Sequence, residues 1–196
     1  ISLLMSIGSG AIYYSRQLAF IEEDRQQRAD LYLGYLATQS DLGAFAGDKV
    51  LLEPPVRRMS DLKDVVFVAV YDSNGKELIK SAGRSGQPPP DAPPGLLNEL
   101  LRSARRDAEL AQKTKSDLFG QSFAKHNRSL INERWNCLDL YTPIVISDRG
   151  GPGVDAYVYP SDRLTHDRVV GVARVGLSLA TANERLGEVV RWGVGL

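Results

Sequence analysis

Cysteine is almost absent from this chain of 196 residues: Cys137 stands alone, beside two histidines and two tryptophans. A single cysteine excludes an internal disulfide framework, a multi-cysteine zinc site and a covalently attached haem of the Cys-x-x-Cys-His kind. The histidines, His126 and His166, form no His-Glu-x-x-His pattern, and no serine sits in a Gly-x-Ser-x-Gly elbow. No catalytic residue, metal ligand or cofactor is therefore expected. Net charge is missing too, with 24 Lys plus Arg against 24 Asp plus Glu, which argues against a nucleic-acid surface and its usual basic excess. A span-length apolar run is also lacking: the uncharged opening, Ile1 to Ser15, falls short of the roughly 20 apolar residues of a membrane-crossing helix. What is present, 43% hydrophobic and 24% charged residues, supports one globular domain with a core of its own.

The two ends differ from the middle. Ile1 to Ser15 carries no charge, and a strongly charged stretch opens at Arg16. The stretch begins with neither a methionine nor the basic segment of a signal peptide. Residues 1–14 are therefore expected to be the end of a first transmembrane helix or a membrane-proximal segment, with Tyr13 and Tyr14 at interfacial depth. Residues 15–188 are expected to form one domain. Residues 189–196, with Arg191-Trp192 ahead of Gly193-Val194-Gly195-Leu196, are expected to start a second membrane-proximal segment. The alternative is that both ends are ordinary buried termini.

From about Tyr13 to Thr38 there is no proline, and apolar residues at 18, 21, 29, 32, 33 and 36 flank a charged block from Glu22 to Arg28, which predicts a long amphipathic helix. Its second half is expected to pack on a sheet and its first half to project or to pair with another chain. Pro54-Pro55 predicts an interruption of the helical region. Val65 to Tyr71 is the strongest strand signal, apolar on both faces. Asn74-Gly75 predicts a tight hairpin with two positive-φ positions, returning as Lys76 to Lys80. Residues 84–94 hold five of the ten prolines and read as an extended surface segment. Helical spacing resumes over Gly95 to Gln112. Trp135 to Ile146 reads as a strand broken at Pro143, Val169 to Leu179 as another, and Ala180 to Arg191 as a closing helix; Ser147 to Thr165 reads as a long hairpin or loop with room for a short strand at Ala156 to Tyr159.

This order is α+β, with neighbouring strands joined by hairpins rather than helical crossovers. Three blocks carry a resemblance: Asp64-Val65-Val66-Phe67-Val68-Ala69-Val70-Tyr71-Asp72-Ser73-Asn74-Gly75-Lys76-Glu77-Leu78, Leu140-Tyr141-Thr142-Pro143-Ile144, and Val169 to Leu179. Together they cover about a sixth of the chain. In this order they resemble the extracytoplasmic PAS-like sensor domains of bacterial membrane receptors, called PDC or single Cache domains. The resemblance implies a long N-terminal helix packed on a central antiparallel PAS-like sheet, a helical insertion after the first hairpin and a C-terminal helix. It further implies a periplasmic segment between two membrane helices in the bacterial inner membrane, working as a homodimer through the N-terminal helix. The output module would most often be a histidine kinase, otherwise a diguanylate cyclase or chemoreceptor module. A membrane-tethered binding protein without a transmitter, or a small hydrolase, are the readings from other classes.

Polar residues inside apolar strands are the candidate ligand contacts. Period-two alternation puts Trp135, Cys137, Asp139 and Tyr141 on one face of their strand and Val170, Val172 and Arg174 together on theirs. Asp139 and Arg174 are then charges in apolar surroundings, which must be paired with each other or with a polar ligand. Arg134 beside Trp135 offers a guanidinium next to an aromatic wall. Tyr71 ends the first strand nearby. The small residues Gly171, Ala173 and Val175 are expected to face the long helix, which turns Arg174 to the opposite side. A lid from residues 113–134, rich in Lys and Arg, is expected to cover it; its basic stretch reads either as a solvated surface run or as one that favours an anionic small molecule, and Cys137 is expected to be a buried hydrophobe.

Overall fold

The computed structural model describes residues 2–84, 86, 89–114, 127–146 and 168–180. The opening helix, α1, runs unbroken over Ser2–Gln39, 38 residues or about 57 Å at 1.5 Å per residue. Ala29, Leu33 and Leu36, spaced four and three apart in its last third, are the buried positions among its described side chains and pack on the sheet. A short helix α2 (Asp41–Ala46) follows and stops at Gly47, whose φ of 65° is the left-handed conformation that ends helices.

Helix α3 (Lys49–Ser60) starts at Asp48, whose carboxylate accepts from the Val50 amide at 2.8 Å. It contains Pro54 and Pro55, so the expected interruption does not occur. Proline's φ suits a helix, and what it forfeits is a hydrogen bond and some steric room. Burial of Leu52, Val56 and Met59 on the sheet holds the helix together through that defect.

Five strands form one antiparallel sheet: β1 (Val65–Asp72), β2 (Glu77–Ala82), β3 (Arg128–Asn132), β4 (Cys137–Ile146) and β5 (Arg168–Ser178), in the order β2-β1-β5-β4-β3. The β1–β2 turn departs from the expected tight hairpin. Gly75 has φ of 78°, but Asn136 is the sole positive-φ non-glycine among the described residues, so Asn74 does not supply a second such position. Instead the Asp72 carboxylate accepts from the amides of Asn74 (2.7 Å) and Lys76 (2.9 Å), and so builds a wider turn. Pro143 does not break β4. Strand β3 pairs with β4 only as far as Tyr141, so from Thr142 onward that side of β4 is a sheet edge among the described residues, where a missing N–H costs no ladder bond.

The sheet is covered on both faces. Helices α1, α2 and α3 lie on one, where Leu33, Leu36, Leu52 and Val56 share a core with Val68, Val70, Leu140, Ala173 and Val175. Helix α4 (Pro94–Thr114) lies on the other, packing Leu97, Leu100, Leu101 and Ala104 against Ala69, Tyr71, Tyr141 and Val172. No described helix is long and apolar enough to cross a membrane. The expected strand at Ala156 to Tyr159 and the closing helix beyond Ala180 lie outside the described residues, as do most of the lid segment and both expected membrane-proximal ends apart from the backbone of α1.

Candidate functional site

Strand alternation builds the site on the α4 face. Facing pairs across β1, β5 and β4 put Ala69, Arg174 and Tyr141 in one row and Phe67, Gly176 and Asp139 in the next. Ala69 and Gly176 leave a low surface into which the long Arg174 side chain folds. At Gly176 a Cβ would come within 2.5 Å of the Phe67 ring, so the absence of a side chain there is what lets that ring lie across the strand. The Arg174 guanidinium stacks 4.7 Å from the Phe67 ring centroid and 5.2 Å from that of Tyr141.

Arg174 is 1% exposed, and its charge is matched. Nε and Nη2 donate to the two oxygens of Asp139 at 2.9 and 2.7 Å, a bidentate pair, while Nη1 donates to the Tyr71 hydroxyl at 3.2 Å and the Pro90 carbonyl at 2.6 Å. The Tyr141 hydroxyl donates to the second Asp139 oxygen at 2.9 Å. Burial pulls the Arg174 pKa down, but the hydrogen bonds and charge of Asp139, helped by both tyrosines, overcome it and hold the value above the ordinary arginine range. Burial, then the charge of Asp139, pushes the Tyr141 phenol up. Tyr71 is also raised by burial, with Arg174 opposing. Arg174, Tyr141 and Tyr71 therefore keep their protons through the physiological range.

Above this cluster lies an open recess of about 370 Å³, walled by Asp91 and Pro93 on one side and by Leu130, Ile131 and Glu133 on the other, with Asp139 and Arg174 contributing from the sheet. A second recess of about 260 Å³ lies between the β1–β2 turn and α4, bordered by Tyr71, Glu77, Asp91 and Asn98.

Tyr71, Asp139, Tyr141 and Arg174 thus come together, as alternation predicts. Arg134 and Trp135 are placed differently from the sequence reading. Asn136 adopts φ of 44° and Asn132 accepts from the Trp135 amide, so Glu133–Trp135 is a single 3-10 turn and β4 starts only at Cys137. Trp135 packs edge-on against Phe67, with centroids 6.4 Å apart, and so borders the cluster from its end. Arg134 is exposed and makes no hydrogen bond to the cluster. Val170 also changes sides: a register shift near Ile144/Val145 disturbs alternation there, so that Val170 joins the α1 face and Val169 the α4 face. Cys137 is fully buried, and burial followed by the charge of Asp139 pushes its thiol up to about 11, which leaves it unreactive at neutral pH. Lys113, Lys115, Lys125 and His126 of the expected basic lid have no described side chains, and the described walls of the recess carry carboxylates instead.

Phe67 and Pro90 were not singled out by the sequence. Phe67 was legible, two and four residues before Ala69 and Tyr71 on the same strand face; the Pro90 contact comes from a backbone carbonyl, which no residue pattern announces. No protein-family model, curated protein or solved structure matches the chain.

Proposed function

We propose that the chain is the extracytoplasmic ligand-sensing domain of a bacterial transmembrane signalling protein, in the first instance a sensor histidine kinase, whose ligand is a small molecule held in the recess over Arg174 and Asp139. The observation that carries this reading is the two-sidedness of β5. Arg174 reaches toward the recess, while its neighbours Ala173 and Val175 pack in the core that includes Leu33 and Leu36 of α1. A ligand that moves Arg174 therefore acts on the strand against which the long helix rests. The α+β architecture with a five-stranded antiparallel sheet is compatible with a PAS-like fold. Helix α1 extends about 40 Å ahead of Ala29 at 1.5 Å per residue, which suits a helix that carries a signal toward the inner membrane from a periplasmic domain. Homodimerisation through this helix, and attachment to the membrane through both chain ends, belong to the same proposal.

A thermal-shift screen of organic acids, amino acids, amides and amines tests it. A ligand at 100 times its dissociation constant adds about 2.7 kcal/mol of stability. Ile131→Arg, at an exposed position on the recess wall, is expected to fold with an unchanged melting temperature and to lose the response. A screen without hits, or hits that ignore Ile131→Arg, would contradict the site.

A further inference from the structure

We propose that the Pro90 carbonyl is an internal stand-in for the ligand, and that the molecule which replaces it on Arg174 presents an uncharged carbonyl oxygen of the kind an amide carries. This rests on the sensing reading above and adds to it the ligand's class and the step that admits it.

The contact itself is the first ground. Of the two acceptors on Arg174 Nη1, the Tyr71 hydroxyl at 3.2 Å belongs to the sheet, whereas the Pro90 carbonyl at 2.6 Å belongs to the connection between β2 and α4. Residues 89–93 read Pro-Pro-Asp-Ala-Pro, so three of five positions have no amide proton and the segment cannot knit itself into the sheet. Among the described residues its hydrogen-bonded tie to the strands is the one from Arg174 to the Pro90 carbonyl, while the Pro93 carbonyl accepts from Leu96 and Leu97 in the first turn of α4.

Space is the second ground. Asp91 borders both the 370 Å³ and the 260 Å³ recess, so the segment stands as a partition between two openings rather than inside packed core. Asp91 and Pro93 are exposed, and Pro90 and Ala92 are half-buried. Displacing such a segment gives up the packing of Ala92 against the α4-face core.

Charge selects the ligand. The recess over Arg174 is bordered by the carboxylates of Asp91, Glu133 and Asp139 and by one guanidinium, which Asp139 already holds in a bidentate pair. Among the described lining residues an incoming anion would meet excess negative charge with no free cation to balance it. A neutral carbonyl exchanges like for like with Pro90, leaving the Arg174–Asp139 pair intact and the count of hydrogen bonds unchanged.

The test uses the whole chain and two small probes, N-methylacetamide and acetate, at matched ionic strength, with backbone 15N relaxation as the readout. N-methylacetamide is expected to lower the order parameters of Asp91 and Ala92 saturably, from the rigid range to below about 0.6, while those of β4 and β5 stay constant. Acetate is expected to leave the order parameters of Asp91 and Ala92 unchanged, and Ile131→Arg to remove the response to the amide. A stronger response to acetate, or no saturable response to the amide, overturns the proposal. A ligand from the thermal-shift screen that occupies the recess with Asp91 and Ala92 still rigid also overturns it, and in that case the sensing reading stands alone.

Discussion

A buried ion pair is an ambiguous feature, because removing two charges from water costs about what their attraction returns. Arg174 and Asp139 meet the strictest condition for such a pair, with both carboxylate oxygens bonded to the guanidinium and a third donor, Tyr141, completing the acid. The cost of breaking it is accordingly one-sided. Arg174→Met leaves Asp139 buried and unpaired, and Asp139→Leu leaves Arg174 so, and each single change is expected to cost about 3–5 kcal/mol. The double change removes both charges together and is expected to cost less than either single one. Urea denaturation of the four proteins checks this, and a double variant that loses the sum of the two single losses would show that the groups act independently. The same residues were the most legible part of the site: a charge in the middle of each of two apolar strands, with alternation fixing which face each takes. What alternation missed was local. Trp135 is taken off the strand by one left-handed Asn136, and Val170 is turned by a register irregularity, and neither event leaves a trace in hydrophobic periodicity.

At the scale of elements, the two core faces were readable where periodicity was long: the end of α1, β1, α4, β4 and β5. Proline misled twice in opposite settings. Pro54-Pro55 stays inside α3 because the apolar stripe of Leu52, Val56 and Met59 is buried across it, and Pro143 stays inside β4 because β3 has ended beside it. Tertiary packing and strand neighbours decide such cases, and a single sequence does not contain them. Strand β3 itself went unread, since Arg128-Ser129-Leu130-Ile131-Asn132 is short and mostly exposed, as suits an edge. Two glycines test the packing of the elements with opposite signs. Gly34 lies exposed within α1 with no atom near its missing Cβ, so Gly34→Ala is expected to stabilise by about 0.5–1 kcal/mol. Gly176→Ala would press a methyl into the Phe67 ring that supports Arg174, and is expected to destabilise by about 1–3 kcal/mol. Thermal unfolding of both variants decides it; a neutral Gly176→Ala would mean that the ring has room to move.

The whole molecule is a sheet with a polar cluster on one face and a long helix on the other. The helix continues far ahead of its contact with the sheet, and Phe20, 67% exposed, already shows apolar surface there. The side chains of Leu18 and Ile21 lie outside the described residues, so their expected role in pairing two copies rests on sequence spacing. Leu18→Asp with Ile21→Asp is expected to shift the chain from dimer to monomer in sedimentation velocity; an unchanged profile would remove that stripe from the interface.

The central claim is that occupying the recess acts through β4 and β5 on α1. It is tested most directly by hydrogen exchange across residues 29–36 of α1, with and without a ligand drawn from the thermal-shift screen. These amides sit on the far side of the sheet from Arg174, in helix whose buried positions are Ala29, Leu33 and Leu36. The account predicts that ligand changes their exchange in the native chain and leaves it unchanged in Ile131→Arg. A ligand whose effect is confined to β3, α4 and residues 89–93, with α1 exchanging at its free rate, would contradict it.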